Sequence, residues 1–402
     1  MTEPATTLIH HGYTPPPGFA APQPGVFKAS TVLFPSVAAM RNFEWKDKTA
    51  YTYGLHGTPT TYMLEERLCT LEGGLQCLLL PSGLAAISNV ALSLLRSGDE
   101  VLIPENAYGP NKVLAAGELA AWGISHRFYD PMDASDLRTK INAKTALVWL
   151  EAPGSVTMDF PDLCELVRVC RAHRVLCALD NTWGAGLAFA PFDLVPGIEP
   201  TLGVDVSVHA LTKYPSGGGD VLMGSIITCD PALHMRLKLT HMRLGFGIGA
   251  NDAEAVLRAL PSLALRYGAH DASARALARW FQGRNEIAQV LHPALPGSPG
   301  HAHWRALCPG EGARAAGLFS VIFQPRYSQD QVDAFCDSLA LFGIGYSWGG
   351  PMSLVVPYEL ASMRGAWPSH LKHGTLVRFS IGLEGVGDLQ ADLSQAMRHL
   401  GI

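Results

Sequence analysis

Lys213 follows an apolar run, Val204 to Ala210, and precedes the flexible turn Tyr214-Pro215-Ser216-Gly217-Gly218-Gly219-Asp220. A lysine placed there can reach into a cleft, where partial loss of water lowers its pKa and leaves a usable amine nucleophile. Asp180 ends a second apolar run, in Leu179-Asp180-Asn181-Thr182-Trp183. A carboxylate in that setting is costly unless a cation or hydrogen-bond donors offset its charge. A third run ends in Pro81-Ser82-Gly83-Leu84, after which a helix is predicted. Gly83 leaves the backbone open, and the amides at a helix start favour a phosphate. Each feature also has an ordinary reading: a solvated loop lysine, a carboxylate that caps the next turn, a turn that is only a turn. Together they supply an amine for an imine bond, a partner for a protonated ring nitrogen and a seat for a phosphate. Those are the anchors of pyridoxal 5′-phosphate (PLP).

The elements that must position these residues are legible as short apolar runs: CLLL from Cys77, VLIP from Val101, ALVWLE from Ala146, VLCALD from Val175, VDVSVHA from Val204 and VLMGSIIT from Val221. Runs that are apolar on both faces and separated by helix-length stretches predict an α/β fold with a mainly parallel central sheet covered by helices. In open parallel sheets, functional groups gather at the carboxyl ends of the strands, where Gly83, Asp180 and Lys213 fall. Leu64, Leu68 and Leu71 predict a helix from Thr61 that stops at Gly73-Gly74. The pattern predicts helices over Asp252 to Arg266 and Ala269 to Gln289. Strands near Leu318 to Phe323 and Leu376 to Ile381 and helices near Gln329 to Leu341 and Asp388 to Leu400 follow. Three regions result: an N-terminal arm over residues 1–60, Pro-rich from Pro15 to Pro24, an α/β domain over 61–250, and a smaller C-terminal α+β domain over 251–402.

The 402 residues, 48% hydrophobic and 16% charged, suffice for a large core in more than one domain. A net charge of -5 without a basic block excludes the electrostatic footprint of a nucleic-acid binder. The longest apolar stretch, Leu84 to Leu95, falls short of the ~20 residues that cross a bilayer, so no membrane span is expected. The opening MTEPATTLIHHGYTPPPG has neither the basic start nor the apolar centre of a secretory signal, and a cytoplasmic location is expected. The eight cysteines form no C-x-x-C pair, and Cys77 and Cys177 read as buried free thiols. His301, His303 and Cys308 read as a surface loop, because no second ligand pair stands at zinc spacing; no metal is expected.

The strings LEGG (from Leu71), PSGLAA (Pro81), NAYGP (Asn106), LEAPGSVTMD (Leu150), LDNTWGAG (Leu179), TKYPSGGGD (Thr212), HPALPGSPGH (His292) and YSWGGPMSL (Tyr346) occur in order along the chain. In them the sequence resembles the Cys/Met-metabolism family of PLP enzymes from the N-terminal arm to the last helix. Within it the sequence is most similar to the bacterial cystathionine β-lyases, because Trp348 stands where the γ-lyases and γ-synthases usually carry a smaller residue. The resemblance implies an aspartate-aminotransferase-like, fold type I architecture. It makes Lys213 the Schiff-base lysine, Asp180 the partner of the pyridine nitrogen and Tyr108 the ring that stacks on the cofactor. It gives phosphate contacts to Gly83, Leu84 and Thr212, and to Tyr53 across a subunit boundary. That last contact belongs to a homotetramer built from catalytic dimers. Arg378, with Ser347 and Trp348, is implied in substrate binding, the arginine through a bidentate grip on the α-carboxylate.

Three departures accompany the resemblance. Leu55, in Tyr53-Gly54-Leu55-His56, replaces an arginine expected on the partner's phosphate, a loss of about 1.5 to 3 kcal/mol unless His56 compensates. Ala210 stands where many relatives have a phosphate-binding serine. Pro351-Met352 replaces an aromatic-Glu pair, which leaves the identity of the thiol open. The activity implied is β-elimination: cystathionine and water give homocysteine, pyruvate and ammonia, as in methionine biosynthesis. Lys213 takes the Cα proton, and Lys213, Tyr53 or Tyr108 returns one to the departing sulfur. The rivals are β-elimination from another cysteine conjugate, γ-elimination or γ-replacement, and a non-catalytic regulator on the same scaffold.

Overall fold

The six apolar runs of the first half, joined by the polar edge strand Ser125–Tyr129 that they do not predict, form one seven-stranded sheet. The computed structural model describes residues 4–46, 48, 50–198, 200–310 and 312–400. The strands are β1 (Gln76–Leu80), β2 (Glu100–Pro104), β3 (Ser125–Tyr129), β4 (Thr145–Glu151), β5 (Leu176–Asp180), β6 (Val206–Ala210) and β7 (Gly224–Thr228). They lie in the order β1-β7-β6-β5-β4-β2-β3. The ladders among β2 to β6 are parallel, whereas β7 runs antiparallel to both β1 and β6. The sheet is thus mainly parallel, as the runs predict. Every residue of β2 and β7 is buried, because apolar side chains pack on both faces. One face packs Leu64, Leu68, Cys77 and Leu179, and the other Ile87, Val90, Ile103 and Val208.

Two helices near the site have well-formed ends. The helix Pro59–Glu72 starts at a reciprocal cap between Thr58 and Thr61 and stops at Gly73, whose φ of 77° suits glycine. The helix Gly83–Leu94 starts where the Ser82 hydroxyl accepts from the Ala85 amide at 3.0 Å.

A smaller five-stranded sheet follows, with β8 (Ile287–Leu291), β9 (Leu318–Phe323), β10 (Gly343–Ile344), β11 (Leu354–Tyr358) and β12 (Leu376–Ser380) in the order β10-β11-β12-β9-β8. Phe281, Phe319, Phe335 and Phe379 share its core. Its helices differ from the sequence reading at three places. The helix expected over Asp252 to Arg266 breaks into Ala250–Ala259 and Leu263–Gln282, with a tight turn at Leu260–Ser262. Pro261 lies at the break, where its missing amide cannot extend the first helix. The stretch expected as helix to Gln289 ends at Gln282, capped by Gly283, and its last residues belong to β8. The helix expected to Leu341 ends at Asp337.

His301, His303 and Cys308 are also corrected: His301–Leu307 is a short helix rather than a surface loop, and Cys308 is buried at its end. His301 Nδ1 lies 2.8 Å from the Pro293 carbonyl, which fixes the ring locally. All eight cysteines are free. Among the described residues, no helix is long and apolar enough to cross a membrane.

Candidate active site

A cleft of about 560 Å³ opens at the carboxyl ends of β4, β5 and β6, lined by Gly83, Tyr108, Glu151, Asp180, Lys213 and Arg378 among others. The parallel register places these groups together, since Glu151 on β4 pairs with Asp180 on β5, and Asp180 with Val208 on β6. The chain leaves β6 at Ala210 and reaches Lys213 within three residues. Ser347 and Trp348, from the loop between β10 and β11, and Arg378 from β12 complete the wall.

Lys213 is mostly buried, and loss of water pulls its ammonium down to about 8, helped by the nearby Arg378 cation and opposed by Asp180. Near neutral pH a useful fraction is therefore the free amine. Its Nζ donates to Ser347 Oγ at 2.7 Å and lies 5.3 Å from the centre of the Trp348 ring. Asp180 is held by Thr182: Oδ1 accepts from the Thr182 amide at 3.0 Å and from its hydroxyl at 2.5 Å. The Thr182 hydroxyl in turn accepts from the Ala210 amide at 2.9 Å, which joins the ends of β5 and β6. Burial raises the Asp180 pKa, and the Thr182 bonds, His209 and Lys213 oppose that rise.

Arg378 is 8% exposed, yet among the described residues no carboxylate pairs with it. One guanidinium nitrogen donates to the Ser347 carbonyl at 3.3 Å, while Nε is buried without a partner. A buried cation left in this state is costly and matches an incoming anion. At the other end of the cleft, a Cβ on Gly83 would stand 2.6 Å from Ala210 Cβ, so glycine is what lets the helix start approach β6. The Gly83 and Leu84 amides open that helix, where a phosphate is favoured.

Tyr108 precedes the helix Gly109–Leu114 and is 41% exposed in the cleft wall. Thr212 lines the cleft, but its hydroxyl accepts from the Met223 amide at 3.1 Å and donates to the Met223 carbonyl at 3.3 Å. A phosphate contact would have to replace the second of these bonds. Tyr53 does not line the cleft of its own chain; it is half-exposed and bridges Thr31. His56 stacks on Trp45 at 4.7 Å and meets Thr52 Oγ1 at 2.8 Å, and burial together with Lys238 lowers its pKa. A neutral, engaged imidazole is a weak substitute for an arginine.

Glu151, Ser155 and Thr182 are site residues that the sequence reading did not single out. Glu151 stands at a strand end as Asp180 does, a signal present in LEAPGS. Thr182 gives no such signal, because its role arises from the register of β5 against β6. Arg378, buried without a carboxylate partner among the described residues, the low-pKa Lys213, the half-buried Asp180 and the amides beside Gly83 fit PLP: they would hold a substrate carboxylate, the aldehyde carbon, the ring nitrogen and the phosphate.

The chain is similar to known proteins over nearly its whole length. The family described as Cys/Met metabolism PLP-dependent enzyme matches residues 5–398. The cystathionine beta-lyase of Bordetella avium is 39% identical over 402 residues, covering 98% of this chain and 96% of the relative. An L-alanine/L-glutamate racemase of Wolbachia pipientis wMel is 34% identical, with 94% and 92% covered. Among solved structures, metB from Corynebacterium glutamicum superposes with a TM-score of 0.87 at 27% identity, covering 99% of this chain and 98% of that one.

Proposed function

The chain belongs to the Cys/Met metabolism family of PLP-dependent enzymes, and we propose that it is a carbon-sulfur β-lyase that converts cystathionine and water to homocysteine, pyruvate and ammonia. The observation that carries this reading is the convergence on one cleft of Lys213, Asp180 and Arg378, a buried cation without a carboxylate partner among the described residues. Bound there, PLP supplies an electron sink for the pair left when the substrate's Cα–H bond breaks. Arg378 binds the α-carboxylate, and Ser347, which touches both Arg378 and Lys213, sets the angle between them. Asp180, whose second carboxylate oxygen Thr182 leaves free, would keep the ring nitrogen protonated by accepting from it. Lys213 Nζ, neutral in useful amount near its pKa of about 8, takes the Cα proton and can return it to the departing sulfur. Tyr108, on the cleft wall, is the second candidate donor, and Tyr53 of a neighbouring subunit is the third.

A second reading keeps β-elimination but changes the thiol. Leu222, 71% exposed, lines the cleft together with Met363 and Tyr346, so apolar S-conjugates of cysteine fit this cleft. The reading extends to a homotetramer of catalytic dimers in the cytoplasm. Phe19, Phe27 and Leu33 of the N-terminal arm are exposed, which suits burial against a second copy, and eight free thiols suit a reducing compartment.

The test is to incubate the PLP-loaded protein with L-cystathionine and identify the products. Pyruvate with homocysteine supports the proposal. The product 2-oxobutyrate would move the chain to γ-elimination, and D-alanine formed from L-alanine without a keto acid would move it to racemisation. Lys213→Ala should abolish both turnover and borohydride fixation of PLP; fixation that survives would mean another lysine carries the cofactor.

A further inference from the structure

Two carboxylates, Glu151 buried and Asp180 half-buried, stand side by side at the ends of adjacent parallel strands. Glu151 is 9% exposed, pairs in register with Asp180, and shares the cleft with it. Residues paired across parallel strands point to the same face, so the two acids meet in one low-dielectric corner. Asp180 has its own donors in Thr182, and Lys213 and His209 face it. Glu151 has only neutral donors: Oε2 accepts from the Tyr108 amide at 2.7 Å and Oε1 from the Ser155 hydroxyl at 2.6 Å. The other titratable groups that act on it are the Tyr108 phenol, Arg364 and Lys112, from the flanking segments, and the buried Tyr129 on β3. Arg364 donates to Thr157 Oγ1 and Lys112 to the carbonyls of Glu105 and Met363, so neither ion-pairs with Glu151.

Like charges this close in a buried corner do not both ionise readily. Burial first, and Asp180 second, push the Glu151 carboxyl up to about 8. A protonated ring nitrogen beside Asp180 would cancel the charge that opposes ionisation of Glu151. With Glu151 ionised, its bond from the Tyr108 amide becomes charge-assisted, and the backbone of the residue expected to stack on the ring is held more firmly.

We propose that Glu151 is a proton-linked positioning residue, which holds a proton in the cofactor-free protein and gives it up when PLP enters, so that the ionised carboxylate fixes Tyr108. The inference rests on the reading of the cleft as a PLP site. The proton passes either to the ring nitrogen or to solvent. In both cases the net proton count of binding differs between wild type and a chain without this carboxyl.

Calorimetry of PLP binding to the cofactor-free protein, in buffers of different ionisation enthalpy, counts those protons. At pH 7 the wild type should release about one proton more, or take up about one fewer, than Glu151→Gln, and the difference should vanish well above pH 8. Equal counts at pH 7 would overturn the proposal. Should Glu151→Gln fail to fold, Ser155→Ala decides. It removes one donor from the ionised carboxylate, so the pH at which proton release fades should move upward; an unchanged pH overturns the proposal. Borohydride fixation of PLP, run alongside, separates the two levels: no fixation in wild type would overturn the cofactor reading and this inference together.

Discussion

Lys213 Nζ donates to Ser347 Oγ at 2.7 Å, so the turn after β6 is tied to a loop of the small sheet at the position where chemistry is proposed. Burial and Arg378 favour the neutral lysine, Asp180 favours the charged one, and the balance rests at about 8. Only the neutral amine attacks an aldehyde. The rate of PLP capture by the cofactor-free protein should therefore rise with pH and level off above about 8. Stopped-flow absorbance across pH 6 to 10 checks this; a midpoint near the ordinary lysine value would mean that the burial of Lys213 has been misjudged.

Removing the Ser347 hydroxyl should move that midpoint downward. A hydrogen bond to a charged group contributes about 1.5 kcal/mol or more, and one pKa unit corresponds to about 1.4 kcal/mol, so a fall of roughly one unit is expected in Ser347→Ala. Ser347 also has a φ of 91°, which serine and alanine, both bearing a Cβ, tolerate poorly. Ser347→Gly relieves that strain while still lacking the hydroxyl. If both variants shift the midpoint alike, the hydroxyl is responsible; a shift in glycine only would assign the effect to the backbone.

Arg378 should separate binding from cofactor capture. Arg378→Lys keeps the charge near Lys213 but loses the two-pronged geometry, so the capture midpoint should stay near 8 while kcat/KM falls roughly ten- to a hundredfold, mostly through KM. Arg378→Ala should in addition raise the midpoint, because a cation that lowers the Lys213 pKa is gone. Steady-state kinetics beside the capture assay tests both. An unchanged KM in Arg378→Lys would show that the substrate carboxylate binds elsewhere.

Lys213, Asp180 and Gly83 are readable from sequence because each lies at, or three residues past, the end of an apolar run, and such runs end at the functional edge of a parallel sheet. Thr182 and Ser347 are less readable in their roles. Thr182 matters through the amide of Ala210 on the neighbouring strand, and Ser347 through a loop 134 positions away from Lys213. Neither relation leaves a local pattern. β3 escapes the strand reading because Ser125, His126 and Arg127 sit on an edge strand with alternating exposure, unlike the buried inner strands. The helix break at Pro261 carries a local signal, but the apolar period continues on both sides and masks it.

Gly83 offers a prediction in which one atom decides. Its Cβ, if present, would lie 2.6 Å from Ala210 Cβ and 3.2 Å from Ala210 Cα, at the point where the helix that starts the proposed phosphate seat meets β6. Gly83→Ala must push the helix start away from the strand end, at a cost of about 1 to 3 kcal/mol. Since the Gly83 and Leu84 amides move with it, PLP affinity should fall by roughly ten- to a hundredfold alongside a lowered melting temperature. Pairing it with Ala210→Gly removes the atom in the way, and the double variant should regain most of both losses. Thermal denaturation and PLP titration of the two singles and the double form a closed cycle. Recovery in the double variant would trace the loss to this one contact, whereas additive losses would place the strain in the backbone of Gly83 itself.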